Sequence, residues 1–143
     1  MNLKKNNFFK NLDRKIKTNK FKVGVVGLGY VGLNLLYLFS KNKINVFGFD
    51  KDLKRINQIK NRKSYLSDLE NKDLKHINPK NLFHSVLYQN ISDLDIIIIT
   101  VPTPLNKNKT PDLKAIEDVI HKIKKYLKKD QLVYNDHLFL VPA

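Results

Sequence analysis

The chain predicts an α/β fold built on a doubly wound parallel sheet, and three observations carry that reading. An apolar run, Phe21-Lys22-Val23-Gly24-Val25-Val26, feeds directly into Gly27-Leu28-Gly29-Tyr30-Val31-Gly32. A second apolar run, Ile44-Asn45-Val46-Phe47-Gly48-Phe49, ends in an acid, Asp50. Beyond it, strand-like and helix-like stretches alternate, as in strand–helix–strand units with right-handed crossovers.

The first strand ends in a Gly-x-Gly-x-x-Gly turn, and an apolar helix over 30–39 begins inside it. Gly27 lets the chain turn sharply, Gly29 lets backbone approach a pyrophosphate, and Gly32 lets helix pack on strand. A diphosphate at this place meets free N–H groups at the positive end of a helix dipole. In a unit of this kind the second strand ends beside the first turn. A carboxylate there accepts hydrogen bonds from the adenosine ribose hydroxyls and repels a 2′-phosphate. Asp50 follows Gly32 by 18 residues, close to the roughly 20 expected. The prediction is a Rossmann-type domain with NAD as cofactor. A ligand-free glycine turn and a solvated aspartate would explain single features of this set, but not strand, glycines, helix, strand and acid in register.

At 143 residues the chain has the length of one ordinary domain. Its apolar share of 42% and charged share of 28% are those of a soluble globular protein. No apolar run approaches the roughly 18 residues of a membrane span, so no membrane partner is expected. The Lys- and Asn-rich start lacks the apolar segment of a secretory signal. With no cysteine among the 143 residues, disulfides, thiolate metal sites and a cysteine nucleophile are excluded from this chain. The expected location is cytoplasmic. The formal net charge of +14 raises the question of nucleic acid. Only Arg14, Arg55 and Arg62 can fork onto phosphates or bases, and the lysines are spread along the chain among abundant Asn and Ile. That pattern points to compositional drift rather than a nucleic-acid footprint, with steering of an anionic nucleotide as a by-product.

In chain order, residues 1–19 form a helical extension in which Leu3, Phe8, Phe9, Leu12 and Ile16 share one face. The domain proper runs over 20–143. Helix one carries Val31, Leu33, Leu35, Leu36, Leu38 and Phe39, apolar over most of its surface. After Asp50, Leu53, Ile56 and Ile59 mark a second helix that Asp52 can cap. Residues 60–81 are polar, with a short helix around 68–76, and 82–85 suit a third strand. Ile96-Ile97-Ile98-Ile99-Thr100-Val101 is a continuous β-branched run of the kind buried on both faces. Pro102-Thr103-Pro104 ends it, since neither proline can donate to a ladder, and the loop after such a strand is where ligands sit. A helix opens at Pro111-Asp112 with the stripe Leu113, Ile116, Val119, Ile120, Ile123 and Leu127, and closes at 128–130. Gln131 to Tyr134 starts another strand, Asn135-Asp136-His137 interrupts it, and 138–141 is a last apolar piece.

These residues resemble the NAD-binding domain of the UDP-glucose/GDP-mannose dehydrogenase family, in particular the branch that oxidises UDP-N-acetyl-hexosamines to uronic acids. The resemblance rests on Lys22 through Leu33, Gly48-Phe49-Asp50, Arg55-Ile56-Asn57 and Lys63-Ser64-Tyr65. It rests above all on Val101-Pro102-Thr103-Pro104-Leu105-Asn106-Lys107 with Pro111-Asp112-Leu113. It implies that Gly27, Leu28, Gly29, Tyr30, Val31 and Gly32 hold the NAD pyrophosphate and Asp50 the adenosine ribose. It further implies that Arg55 helps hold the adenosine end. Val101, Pro102 and Thr103 would pass beside the cofactor, with the Thr103 hydroxyl a candidate donor or acceptor.

The departures bear on activity. After Val133 the family continues with a Glu-Ser-Thr type segment and a Pro-Gly-Thr turn, whereas this chain reads Tyr134-Asn135-Asp136-His137 and stops at Ala143. The resemblance places the acid/base residues, the cysteine nucleophile and the sugar-nucleotide contacts beyond that point. The expectation is an incomplete, truncated domain that binds NAD, meets a nucleotide-sugar substrate only with further domains, and has no catalytic residue or metal ligand of its own. A standalone nucleotide- or nucleic-acid-binding module without catalysis is the competing class.

Overall fold

The structure, a computed structural model, describes residues 3–136, with side chains from Asn7 onward. His137 and the apolar piece expected over 138–141 lie outside the described residues. Five strands form one parallel sheet: β1 (Lys22–Val26), β2 (Asn45–Asp50), β3 (Leu82–His84), β4 (Ile96–Ile99) and β5 (Leu132–Asn135). Their spatial order is β3-β2-β1-β4-β5, the doubly wound arrangement in which the chain reverses direction beside its first strand. Helices α1 (Leu3–Lys17), α2 (Tyr30–Lys41), α3 (Leu53–Lys60) and α4 (Lys114–Ile123) complete the regular structure.

Alternation along the strands divides the apolar residues between two layers. Val23 and Val25 of β1 join Leu28, Leu33 and Leu36 of the α2 region and Ile56 and Ile59 of α3 in one core. Val26, Phe49, Ile97 and Ile99 join Val119 and Ile123 of α4 in the other. Both faces of the sheet are therefore covered, which is why the four-isoleucine run tolerates no polar residue.

Several boundaries differ from the sequence expectation, each for a local reason. β4 stops at Ile99; Thr100 still donates its N–H to Val26 O at 2.8 Å, while its side chain bonds the Gly27 carbonyl just past β1. α4 begins at Lys114 rather than at Pro111, since Pro111 pairs with Leu105 in an isolated bridge and Asp112 Oδ1 accepts the Lys114 N–H. It tightens into a 3-10 turn at Lys124–Tyr126. In its stripe Ile116, Val119 and Ile123 are buried while Ile120 is not. The expected short helix near 68–76 is a 3-10 helix at Asn71–His76, started by a Glu70–Asp73 capping box. A further 3-10 stretch, Ser85–Asp93, gave no periodic signal, and it buries Tyr88 and Ile91.

Of the face assigned to α1, the Leu3 side chain lies outside the described residues and the rest is only partly used as core. Leu12 is buried, but Phe9 and Ile16 remain 56% and 46% exposed. What attaches α1 is Asp95, which precedes β4. Asp95 Oδ1 accepts from Lys15 Nζ at 2.5 Å and Oδ2 accepts the Lys22 N–H at 2.9 Å, so one carboxylate joins the helix to the start of β1. Among the described residues no helix is long and apolar enough to cross a membrane.

Asp95→Ala removes both charge-assisted bonds together and leaves the β1 N–H without its acceptor. It should lower the unfolding free energy by about 2 kcal/mol, measured by urea titration. A midpoint equal to wild type would show that Leu12 alone secures α1.

Candidate functional site

The site begins where β1 ends. Gly27 takes φ +94, a conformation that disfavours any side chain, and its N–H donates to Phe49 O at 2.8 Å. α2 then starts so close to the strand exit that a Cβ on Gly32 would lie 1.7 Å from the Gly27 carbonyl oxygen. Gly29 is the opposite case: a Cβ there meets nothing within 4 Å, leaving open space in front of the helix start. The first-turn N–H groups of α2 have no intrahelical acceptor and point into that space. Thr100, buried at the end of β4, donates through Oγ1 to Gly27 O at 2.6 Å and fixes the turn from the other side.

Asp50 lies at the end of β2, only 5% exposed. Its Oδ2 accepts the Leu28 N–H at 2.7 Å and its Oδ1 accepts the Asp52 N–H at 2.7 Å. The carboxylate thus holds the glycine turn and the entry to α3. An ionised carboxylate offers about four lone-pair directions, so two backbone bonds leave acceptor capacity. Arg55, from the first turns of α3, approaches Asp50 Oδ2 at 3.5 Å and Asp52 Oδ2 at 3.9 Å. The Arg55 guanidinium also sits 5.8 Å from the Tyr65 ring centroid. The Tyr65 hydroxyl donates to the Leu28 carbonyl oxygen. Burial raises the Tyr65 pKa, with the Arg55 charge opposing and the Asp50 and Asp52 charges adding.

These groups border a cavity of about 220 Å³ that includes Gly27, Gly29, Asp50, Arg55, Val101 and Pro102. The remaining residues singled out from the sequence do not line it. Leu28 is buried and contributes its backbone, and Gly32 is packed beneath the turn. Tyr30 and Val31 face a second, shallower groove. There the Tyr30 hydroxyl donates to Asp68 Oδ2 at 2.8 Å, and that bond, followed by the Asp68 charge, raises the phenol pKa. Thr103 is half-buried and outside the cavity lining.

Lys51, Tyr88, Asp118 and Lys122 line the same cavity without having been singled out. Tyr88 belongs to the aperiodic 3-10 stretch. Asp118 and Lys122 are neighbours on α4, joined at 2.8 Å. Their spacing, one turn apart and beside the buried Val119, was the available signal. The Lys122 hydrogen bond draws the Asp118 carboxyl below its ordinary value, against a smaller opposing effect of desolvation. Burial, followed by the Asp50 and Asp118 charges, pushes Tyr88 up to about 12. Tyr88 is therefore a protonated hydroxyl throughout the neutral range.

The structure also joins the two proline blocks noted in the sequence. Leu105 bridges Pro111, Asp112 N–H donates to Pro104 O at 2.8 Å, and Asn106 Oδ1 accepts from Asn108 and Thr110 N–H. The loop after β4 is thus a self-bonded hairpin rather than a free exit.

The family model for the UDP-glucose/GDP-mannose dehydrogenase family, NAD binding domain, matches residues 21–138. UDP-N-acetyl-D-glucosamine 6-dehydrogenase of Pseudomonas aeruginosa is 35% identical over 112 residues, which is 78% of this chain and 26% of that protein. UDP-N-acetyl-D-mannosamine dehydrogenase of Campylobacter jejuni is 36% identical over 119 residues, 80% of this chain and 28% of that protein. Among solved structures, a ternary complex of GDP-mannose dehydrogenase from Pseudomonas aeruginosa superimposes with a TM-score of 0.69. That match has 26% identity and covers 79% of this chain and 27% of that one. The chain spans about a quarter of the length of the curated relatives it matches.

The last two glycines of the turn separate experimentally. Gly32→Ala forces its Cβ into a backbone oxygen and should cost about 3 kcal/mol or more. Gly29→Ala, with open space around it, should cost no more than about 1 kcal/mol. Thermal unfolding of both variants checks this, and equal losses would contradict the close approach at Gly32.

Proposed function

The chain belongs to the UDP-glucose/GDP-mannose dehydrogenase family as an NAD-binding domain, and from that premise we propose that it holds NAD for a nucleotide-sugar 6-dehydrogenase. The observation that carries this is Asp50, a buried carboxylate at the end of β2 that borders the same cavity as the glycine turn. NAD is the cofactor, and the residues present fit it. Open space at Gly29 admits the pyrophosphate to the start of α2, and Asp50 keeps acceptor capacity for ribose hydroxyls. At about 220 Å³ the cavity is smaller than the roughly 300–1,000 Å³ of a site for a whole ligand. It suits one end of the dinucleotide.

In this reading Gly27 through Gly32 carry the pyrophosphate, with Leu28 acting through its backbone. Asp50 and Arg55 hold the adenosine ribose, and Val101, Pro102 and Thr103 run beside the cofactor. NAD bound here supplies the hydride acceptor for alcohol oxidation. The protein's own part is to bind it, to orient it through Asp50 and the helix start, and to keep water from its adenosine face. Residues 1–19 act as an extension and 20–143 as the cofactor-binding unit. The names of the relatives point to UDP-N-acetyl-hexosamines as the substrate class. This 143-residue segment, with no cysteine and about a quarter of the relatives' length, is assigned cofactor binding, and oxidation of the sugar is assigned to the part of the relatives that it does not match.

Calorimetric titration with NAD and NADP tests the cofactor reading. Wild type should prefer NAD, and Asp50→Asn should narrow that preference by about tenfold, since it removes the charge that repels a 2′-phosphate and keeps one acceptor oxygen for the two backbone N–H groups. Equal losses for both cofactors would contradict the ribose role. In a separate assay the purified chain should form no NADH from UDP-N-acetyl-glucosamine or UDP-N-acetyl-mannosamine. Steady turnover would overturn the assignment of catalysis to residues outside this chain.

A further inference from the structure

Two successive peptide groups of the glycine turn are held in different ways. The peptide between Gly27 and Leu28 is engaged at both ends: its carbonyl accepts the Thr100 hydroxyl at 2.6 Å, and its N–H donates to Asp50 at 2.7 Å. In the peptide between Leu28 and Gly29 the carbonyl accepts the Tyr65 hydroxyl. Its N–H, at the N-cap of α2, has no intrahelical acceptor. The C=O and N–H of a trans peptide lie in one plane and point in opposite directions, so the Gly29 N–H is aimed away from Tyr65. Tyr65 packs on the layer that contains Leu28 and Ile56, whereas the cavity bordered by Gly29 opens on the layer that contains Val26 and Val119. The Tyr65 bond therefore turns the Gly29 N–H towards the cavity. Gly29 has no restraint of its own, since it lacks a Cβ and has open space around it. Tyr65 is itself anchored. Ser64 N–H donates to Asn71 Oδ1 at 2.8 Å, Leu66 N–H donates to Ser64 Oγ at 3.1 Å, and the Arg55 guanidinium lies 5.8 Å from the ring centroid. Burial above all keeps the Tyr65 phenol protonated through the neutral range, so the donor persists.

We propose that Tyr65 is a positioning residue for a diphosphate: through the Leu28 carbonyl it holds the Gly29 N–H in the direction of the bound phosphate oxygens. This rests on the NAD reading and adds to it a residue from outside the glycine motif. The Gly27 N–H donates to Phe49 O and the Leu28 N–H to Asp50. The Gly29 N–H is thus the first donor of the turn left for a ligand. Hydrogen bonds weaken steeply as the N–H turns away from its acceptor, so the donor serves an anion best when it is aimed in advance. Without the Tyr65 bond the 28–29 peptide samples a wider set of orientations. Ligand affinity then falls with the fraction of time the N–H faces the cavity. The adenosine end meets Asp50 and Arg55 rather than this peptide. The influence of Tyr65 is therefore confined to ligands that carry the diphosphate.

The test titrates wild type and Tyr65→Phe with NAD, ADP-ribose and adenosine, followed by amide NMR. Tyr65→Phe keeps a ring beside Arg55 and removes only the hydroxyl. It should weaken NAD and ADP-ribose by about fivefold and leave adenosine affinity unchanged, a split that general loosening of the fold would not produce. A second measurement needs no substitution. In wild type the Gly29 amide resonance, one of five glycines, should move on addition of ADP-ribose and stay in place with adenosine. Unchanged NAD affinity in Tyr65→Phe, equal losses for ADP-ribose and adenosine, or a wild-type Gly29 amide unmoved by bound ADP-ribose overturns the proposal and leaves the NAD reading intact. Failure of wild type to bind NAD overturns the NAD reading itself, and the proposal with it.

Discussion

The hydrogen bond from Leu28 N–H to the Asp50 carboxylate is the constraint on which the rest of the site depends. It spans 22 residues of sequence and is buried. A buried ionised acceptor must be hydrogen-bonded or it is costly, and Asp50 meets that need with two backbone N–H groups, one in the glycine turn and one at the start of α3. The end of β2, the turn after β1 and the entry to α3 are therefore set by a single side chain. Tyr65 reinforces the arrangement from a distant loop, since it bonds the carbonyl of the residue whose N–H Asp50 holds. The acid that recognises ribose in the proposed function is thus also what shapes the surface on which the pyrophosphate would lie. A substitution at Asp50 acts on geometry and on charge together, which is why the Asn variant is more informative than removal of the side chain.

Close packing supplies the second constraint. The Gly27 carbonyl accepts the Thr100 hydroxyl and lies where a Cβ on residue 32 would fall. β1, α2 and β4 therefore converge on one peptide group. Thr100 closes the exit of β4 onto the turn, and the residues that follow, Val101 and Pro102, are carried to the cavity wall. The hairpin between Pro104 and Asp112 then returns the chain towards α4. The same short path thus delivers the apolar wall of Ala115 and Val119 to the cavity.

The legible parts of the sequence were those where one local rule decides the outcome. Gly27 and Gly32 are forced by backbone conformation and by approach distance, and the four isoleucines are forced by burial on both sheet faces. Asp50 was legible through its spacing from the turn, because the length of one helix and one loop sets that distance. The place of Tyr88 was not legible, and Tyr65 entered only within the resembling stretch Lys63-Ser64-Tyr65, without its partner. They come from stretches without helical or strand periodicity, and their places depend on which distant surface they pack against. Asp118 was hidden for a different reason. An apolar stripe shows which face of α4 is buried, but not that the edge of that face borders a cavity rather than solvent. For α1 the stripe overstated the case, since an ion pair at Asp95 does part of what apolar contact was expected to do.

Charge acts on a different length scale from these contacts. The formal +14 is distributed, and around the cavity most of it is paired. Lys51, Arg55 and Lys122 stand among Asp50 and Asp118, with Arg55 engaged by Asp50 and Lys122 by Asp118. Surface potential falls away over a Debye length of about 8 Å at physiological ionic strength. The excess lysines can therefore raise the encounter rate of an anionic dinucleotide at low salt, but they cannot distinguish one dinucleotide from another. Discrimination has to come from groups whose partners are fixed and shielded from water. In this fold the Asp50 carboxylate, already aligned by two backbone bonds, is such a group. Net charge sets how readily an anion arrives, and the shielded carboxylate decides which one stays.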